Sequence, residues 1–248
     1  SEQNRLILSG LDQRAFDEWL PITTKTSPTF TIEKRDNPIH PTRGFFISTN
    51  FDWILAWEDW GILANSTRWT LKTQGVWSGF KRKLIFAPTF QIGAATQSDE
   101  TRILRSDFLF KAGGDRALYP VRGYTESTID TCLGREAESG PCADLYNPSD
   151  VLKTTPRLID GLRVVNLNLE VRFPSFLISN VWLAAFNDWG GVSQSFGELT
   201  WDRVYPSAGF GVRWLITGQI PLRVDVAWPL RTPPGETKVL NWNIFYTL

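Results

Sequence analysis

The feature that most constrains the fold of this chain is a strict alternation of apolar and polar residues. In residues 165–173, Val, Leu and Phe side chains alternate with Asn, Glu and Arg, and the same period continues in residues 207–216, 222–228 and 240–248. Since successive side chains of a β-strand point to opposite faces, this period predicts strands with one apolar face each. Segments of about ten residues with this pattern, separated by turn residues, are typical of a transmembrane β-barrel.

Soluble β-sandwiches and lipocalin-like barrels also alternate, and they are the main alternative. In those proteins the apolar face points inward, strands are commonly about five or six residues long, and the other face is dense in charge. Here the polar face often carries Asn, Ser, Thr, Gly and Gln, which suits a wet lumen. The chain also has 12 Trp residues, a side chain that concentrates at membrane interfaces. Both features favour a membrane barrel.

Composition narrows the function classes. The chain has 248 residues, and its 26 basic and 26 acidic side chains cancel, so nothing indicates a nucleic-acid partner. The longest apolar run, residues 181–186, is far shorter than the roughly 20 residues of a spanning helix. A membrane protein of this kind must be a closed barrel, because only helices and closed barrels satisfy all backbone groups in lipid. The sequence contains no linker or repeat, so we assign residues 1–248 to one barrel domain. It has no initiator Met and no secretory signal, so we expect a processed or trimmed chain.

The pattern predicts about ten to twelve strands. A Pro- and Gly-containing turn covers residues 35–44. The predicted strands are residues 29–34, 45–56, 68–77, 83–94, 104–111, 162–173, 181–188, 194–201, 207–216, 222–228 and 239–248.

A long segment between residues 111 and 162 carries an arginine flanked by glycines. Its landmarks are Gly113, Gly114 and Asp115, followed by Val121, Arg122, Gly123 and Tyr124. The guanidinium group is permanently charged and has five donors, so it must find carboxylates or water. The glycines allow tight turns and a close approach to other chain segments. A solvated turn is the alternative interpretation.

The same segment contains both cysteines of the chain, Cys132 and Cys142. No CxxC motif or His cluster accompanies them, which disfavours a metal site. A disulfide between them would remove about 2.5–3 kcal/mol of unfolded-chain entropy and would indicate an oxidising compartment outside the cytoplasm. Two unpaired thiols are the alternative.

Enzymatic chemistry has little support in the sequence. His40 is the single histidine, and it stands in the Pro-rich turn, where we expect a solvated side chain. There is no Gly-x-Ser-x-Gly elbow and no cluster of His and Cys ligands. We therefore expect no enzyme, no metal, no cofactor and no nucleotide.

Several motifs, in order, resemble the barrel of outer-membrane protein assembly and translocation factors of the BamA/TamA type. The resemblance covers about residues 28–248. The Gly113-Gly114-Asp115 sequence is closer to TamA, whereas a cysteine pair in the same loop is closer to BamA. It implies an outer-membrane location, Gram-negative-type or organellar. The motifs are RDNPIHPTRG from residue 35, FKAGGDRALYPVRGY from residue 110, LEVRFP from residue 169, AAFNDWG from residue 184, SAGFGVRW from residue 207 and PLRVDVAWPL from residue 221.

The resemblance implies a role for Arg122. In this family the loop folds into the lumen, and its arginine pairs with acids on the two following strands, which correspond here to Glu170 and Asp188. The alternation agrees for Glu170, which falls on the polar face of its segment, and is silent for Asp188, because residues 181–186 are apolar on both faces. A charge-assisted contact would hold the loop in place. In the alternative, all three are lumen-exposed charges.

The resemblance also implies a function without enzymatic chemistry, in which the barrel assists insertion, assembly or translocation of outer-membrane proteins. An incompletely paired seam between the first and last strands would template an incoming strand. The alternatives are a passive pore or channel plugged by the arginine loop, and a structural barrel that anchors a partner or passenger. The apolar face of the last segment would border the seam; it comprises Leu240, Trp242, Ile244, Tyr246 and Leu248.

The sequence departs from the family in several respects. The family barrel has sixteen strands and is preceded by periplasmic domains, so we expect this chain to be an incomplete or shortened barrel. Its expected partners are outer-membrane lipids, unfolded outer-membrane protein clients, and further subunits or a missing N-terminal part. Phe245 stands where the family tends to have Gly, and Leu248 stands in place of a terminal aromatic residue, which puts easy opening of the seam in doubt.

Overall fold

The computed structural model is built from a single antiparallel sheet of eleven strands among the residues it describes. It describes residues 22–58, 61–81, 83–97, 110–115, 117–125, 129, 161–176, 178, 180–216, 220–231 and 241–246. No helix in these parts of the chain is long and apolar enough to cross a membrane. The strands are β1 (Ile22–Thr26), β2 (Thr29–Glu33), β3 (Gly44–Glu58), β4 (Gly61–Gly79), β5 (Leu84–Phe86), β6 (Thr89–Gln97), β7 (Arg163–Pro174), β8 (Val181–Ser193), β9 (Tyr205–Ile216), β10 (Ile220–Pro229) and β11 (Asn241–Tyr246).

The eleven strands occupy nine positions in the sheet. β1 and β2 both pair with β3, and β5 and β6 both lie between β4 and β7. Pro28 and Pro88 stand at the two interruptions, because proline has no N–H to donate to the ladder. From β7 onward each strand pairs with the next in sequence, up to β11. Among the described residues no pairing joins β11 to β1 or β2, so the described wall is open at both edges.

The outer face of the sheet is apolar and exposed, and the inner face is polar and buried. Phe210 and Trp77 are 62% and 60% exposed on the outer face. On the inner face, Asn166, Asn168 and Glu170 of β7 are buried. A soluble β-sandwich would show the opposite arrangement, with its apolar faces turned inward. The prediction of an all-β transmembrane barrel wall with a polar lumen is thus confirmed.

A loop from the long segment between β6 and β7 packs against the inner face. We call the described residues 110–115 and 117–125 of this segment the lumen loop. Phe110, Val121 and Tyr124 of this loop form a buried apolar cluster with wall residues, including Val164 and Val192. The core of the described structure therefore lies between the lumen loop and the inner wall, and this packing sets the position of the arginine.

Most predicted strands are present with shifted ends, and one prediction is wrong. Residues 194–201 do not form a strand, because they reverse the chain between the paired strands β8 and β9. They contribute instead to two 3₁₀ turns, Phe196–Glu198 and Trp201–Arg203. β1 was not predicted. Of the predicted strand 104–111, only Phe110 and Lys111 lie within the described residues, and Phe110 forms a single bridge to Gly161.

Candidate functional site

Three glycines, in two places, shape the lumen loop. Gly113 and Gly114 have φ values of 104° and 79°, and the turn they start closes with a bridge from Gly114 to Val121. Gly123 has a φ of 97°, and a Cβ there would lie 3.0 Å from the backbone carbon of Trp228. Both positions favour glycine, because residues with a Cβ seldom adopt positive φ. Arg122 is therefore held between a tight turn and a close backbone contact with β10.

Side-chain hydrogen bonds anchor the loop to the wall on either side of Arg122. The amide groups of Asn166 and Asn168 each donate a hydrogen bond of 2.8 Å to the carbonyl oxygen of Pro120. The Tyr124 hydroxyl lies 3.0 Å and 2.7 Å from the carbonyl oxygens of Pro206 and Arg231, and it can donate its proton to either. These contacts attach the loop to β7 and to the chain at the ends of β9 and β10.

The strongest contacts of Arg122 are with Asp188 of β8. Its Nε lies 2.5 Å from Asp188 Oδ2 and its Nη2 lies 2.6 Å from Oδ1. The backbone N–H of Arg122 also donates to Oδ2, at 3.1 Å. The Asp188 side chain is completely buried. This is a bidentate pair, the geometry in which a guanidinium binds a carboxylate most strongly.

The remaining donors of Arg122 face two other strands. Nη1 lies 2.9 Å from Glu170 Oε2 on β7 and 3.4 Å from Asp225 Oδ2 on β10. The guanidinium carbon lies 3.5 Å from the centre of the Phe186 ring, which adds a cation–π contact. One side chain on the loop thus contacts β7, β8 and β10.

These ion pairs belong to a larger group, buried except for the half-buried Arg223, which we call the charge cluster. Arg172 and Arg213 contact Glu170 at 2.6 Å and 2.8 Å, and Arg213 reaches Asp225 at 2.5 Å. The charges balance, so no charge is left without a counter-charge in a site where desolvation is costly. The cluster comprises Arg122, Arg172, Arg213, Arg223, Asp115, Glu170, Asp188 and Asp225.

The structure brings together the three residues singled out from the sequence, Arg122, Glu170 and Asp188. They are buried and hydrogen-bonded, rather than exposed to the lumen as separate charges. Sequence reasoning missed Asp225 and Phe186 as further partners of the arginine. A signal for Asp225 was present, because the alternation in residues 222–228 places it on the polar face of its strand.

Of the other predicted site residues, some lie outside the part of the chain that the structure describes. Cys132 and Cys142, and Leu240 and Leu248 at the ends of the last segment, are not among them. Trp242, Ile244 and Tyr246 lie on β11, whose backbone pairs with β10.

The expectation for His40 is wrong, because this histidine is not a solvated turn residue. Its ring lies 5.0 Å from the Trp182 ring, and its buried Nε2 has no hydrogen-bond partner among the described residues. Burial, together with the charge of Arg172, lowers the pKa of His40 to about 4. Burial raises the pKa of the nearby Asp36, but hydrogen bonds from Thr42 outweigh that effect and hold it at about 2.

No group of three or more His, Cys, Asp or Glu side chains in the described parts of the chain is arranged to hold a metal ion. The contacts observed at the site are ion pairs and hydrogen bonds between the lumen loop and the wall.

Comparison with known proteins identifies the family. Residues 15–246 match the Omp85 superfamily domain. The chain belongs to this superfamily. As an Omp85 barrel it is located in an outer membrane. No curated protein matches the sequence.

Two solved structures are similar to this Omp85 chain. The crystal structure of BamA from Haemophilus ducreyi lacking POTRA domains 1–3 matches with a TM-score of 0.64 and 20% identity, over 90% of this chain. CdiB from Acinetobacter baumannii matches with a TM-score of 0.41 and 11% identity, also over 90% of this chain. In each case the chain spans 41% of the length of the matched structure. The BamA match shows a common fold.

Proposed function

We propose that this chain forms part of an outer-membrane barrel that assists the insertion, assembly or translocation of other outer-membrane proteins. The observation that carries the proposal is a strand edge at the end of the described wall. β10 pairs with β9 from Ile220 to Pro229 and with β11 along Leu222 to Ala227. On its other side, β11 pairs with no strand among the described residues.

The proposed mechanism is strand addition at the edge of β11. An edge strand presents unpaired N–H and C=O groups to an incoming chain. A client strand that pairs with them gains main-chain hydrogen bonds before the rest of the client has folded. This gain is large in lipid, because each unsatisfied backbone group there costs several kcal/mol. No nucleotide or cofactor takes part in such a step.

A passive pore or channel plugged by the lumen loop is the competing function, and a cavity in the lumen favours it. The cavity has a volume of about 590 Å³ and is lined by several cationic side chains. They include Arg35, Lys72, Arg172 and Arg223. Such a lining would favour the passage of anions if the loop moved aside.

One experiment distinguishes the two functions. The folding of an unfolded barrel client into liposomes is measured with and without the natural protein, beside Arg122→Glu and the control Glu198→Gln. Glu198 pairs with Arg203 on a surface turn, away from the charge cluster. Faster client folding that Arg122→Glu loses and Glu198→Gln retains supports the insertion function. If the protein does not accelerate client folding and its ion conductance rises in Arg122→Glu, it is a plugged pore, and the insertion function is rejected.

The partners in this proposal are outer-membrane lipids, unfolded clients, and further subunits or an N-terminal part of the protein. If a client strand docks on β11, a photo-crosslinker at Ile244 should label the client, whereas one at Phe30 on β2 should not. Ile244 pairs with Val224 of β10, and Phe30 pairs with Thr49 of β3. Equal labelling from both positions would contradict docking at the β11 edge.

A further inference from the structure

The charge cluster contains a second tie between the lumen loop and the wall, separate from the Arg122–Asp188 pair. Asp115 Oδ1 lies 2.6 Å from Arg223 Nη2, and the Asp115 side chain is 4% exposed. Arg223 is on β10, and its Nε also donates to Asp225 on the same strand. The tie therefore attaches the Gly113–Gly114 turn of the loop to β10.

The two ties hold different strands. The short contacts of Arg122 go to Asp188 on β8 and Glu170 on β7, and its contact with Asp225 on β10 is the longest, at 3.4 Å. Asp115 contacts β10 through Arg223. Loss of the Asp115 tie should thus loosen the hold of the loop on β10 and leave its hold on β7 and β8 unchanged.

The register places the second tie at the last strand pair. Arg223 lies directly opposite Phe245 of β11, and Asp225 lies opposite Asn243. The tie thus attaches to the part of β10 with which β11 pairs. A strand fixed by side chains on its inner face resists the local twisting that opens a ladder, and the free energies of such local openings differ between parts of a protein.

We propose that Asp115 and Arg223 are positioning residues that brace β10 against the lumen loop and set how readily β11 separates from it. The consequence for client insertion rests on the proposed function. The brace itself does not, because strand separation can be measured without any client.

The first test is Asp115→Asn in the natural protein in lipid nanodiscs, with amide hydrogen exchange resolved by strand. Asparagine keeps the shape of the side chain and removes its charge. We expect exchange about tenfold faster in residues 222–228 and 241–246, with β7 and β8 unchanged. The control Glu198→Gln, which breaks a partly exposed Arg–Glu pair away from the charge cluster, should change neither region. Unchanged exchange in β10 and β11, or an equal increase in β7 and β8, would overturn the brace.

A second test fixes the brace covalently. Asp115→Cys and Arg223→Cys are combined in a background with Cys132→Ser and Cys142→Ser, and the thiols are joined by a short bifunctional reagent. Compared with the same protein before joining, we expect slower exchange in β11 and slower client folding. If exchange slows but neither form accelerates client folding, the brace stands and the proposed function fails. If client folding is accelerated and joining changes neither measurement, the proposed function stands and the brace fails.

Discussion

Replacement of Arg122 by methionine should strand one buried carboxylate, and the cost can be worked out from its contacts. Glu170 and Asp225 keep Arg213 as a partner, at 2.8 Å and 2.5 Å. Asp188 is fully buried, and its ion pair in the structure is with Arg122. A buried charge that loses its partner typically destabilises a protein by about 3–5 kcal/mol. We expect Arg122→Met to lower the free energy of unfolding by that amount.

Two further variants test whether the stranded charge is the cause. Asp188→Asn in the Arg122→Met background removes the unpaired charge, so it should restore about 1–3 kcal/mol. Arg122→Lys keeps the charge but has a single nitrogen, which cannot bind Asp188 in two places and also reach Glu170. This variant should lose about two charge-assisted hydrogen bonds and regain part of their energy through the hydrogen bonds of the lysine ammonium group. The net loss in the free energy of unfolding should be about 2–3 kcal/mol.

The free energies are measured by guanidinium titration in lipid vesicles, followed by tryptophan fluorescence. The control is Arg203→Met, which breaks a partly exposed pair with Glu198 and should cost at most about 1 kcal/mol. The reasoning fails if Arg122→Met costs no more than this control. It also fails if Asp188→Asn makes the Arg122→Met protein less stable, because the stranded charge would then not be the source of the loss.

Three further predictions concern the loop and the turn 34–43. Gly123→Ala should cost about 1–3 kcal/mol in the same titration, because alanine must adopt positive φ and its Cβ approaches the Trp228 backbone; an unchanged midpoint would refute this. Tyr124→Phe should cost about 1–2 kcal/mol through loss of the hydroxyl hydrogen bond, and equal stability of the two proteins would contradict it. Since the pKa of His40 falls from 6.5 to about 4 on folding, the unfolded state binds the proton more tightly, and stability should decrease as pH falls from 6.5 towards 4. His40→Gln should weaken that decrease, and an identical pH profile would show that His40 is not its source.

The sequence predicted the acid of β7 but could not predict the acid of β8 by its pattern. Glu170 follows a regular alternation, since the inner positions of β7 before it are Asn166 and Asn168. In β8 the inner positions before Asp188 are Ala184 and Phe186, which are both apolar and buried, and the guanidinium of Arg122 lies over the Phe186 ring. Where a loop covers the inner face of a barrel wall with an apolar side chain, or with a cation that stacks on an aromatic ring, the inner positions of the strand need not be polar. The alternation of polar and apolar residues is then lost, and in β8 only the family resemblance identified Asp188.

The contacts of the loop with β10 were beyond sequence reasoning for a different reason. Asp115 and Arg223 are separated by 108 positions in the chain, and their pairing depends on how the wall curves around the loop. The alternation places Arg223 and Asp225 on one face of their strand, but it does not say which loop residue faces them. The inner face of each strand is a local property, whereas the choice of partner across the lumen is a property of the folded sheet.

The balance of charges suggests why such a group lies in the lumen. A buried ion pair contributes little net stability compared with a well-packed apolar pair, because both charges must lose their water. An apolar loop could bury the same surface, but it could slide along an apolar wall at little cost. Arg122 can satisfy its donors only where Asp188, Glu170 and Asp225 converge, so a displaced loop would leave charges unpaired on several strands at once. The cluster thus sets one position for the loop, and this position holds β7, β8 and β10, whereas β11 is attached to the wall through its ladder with β10.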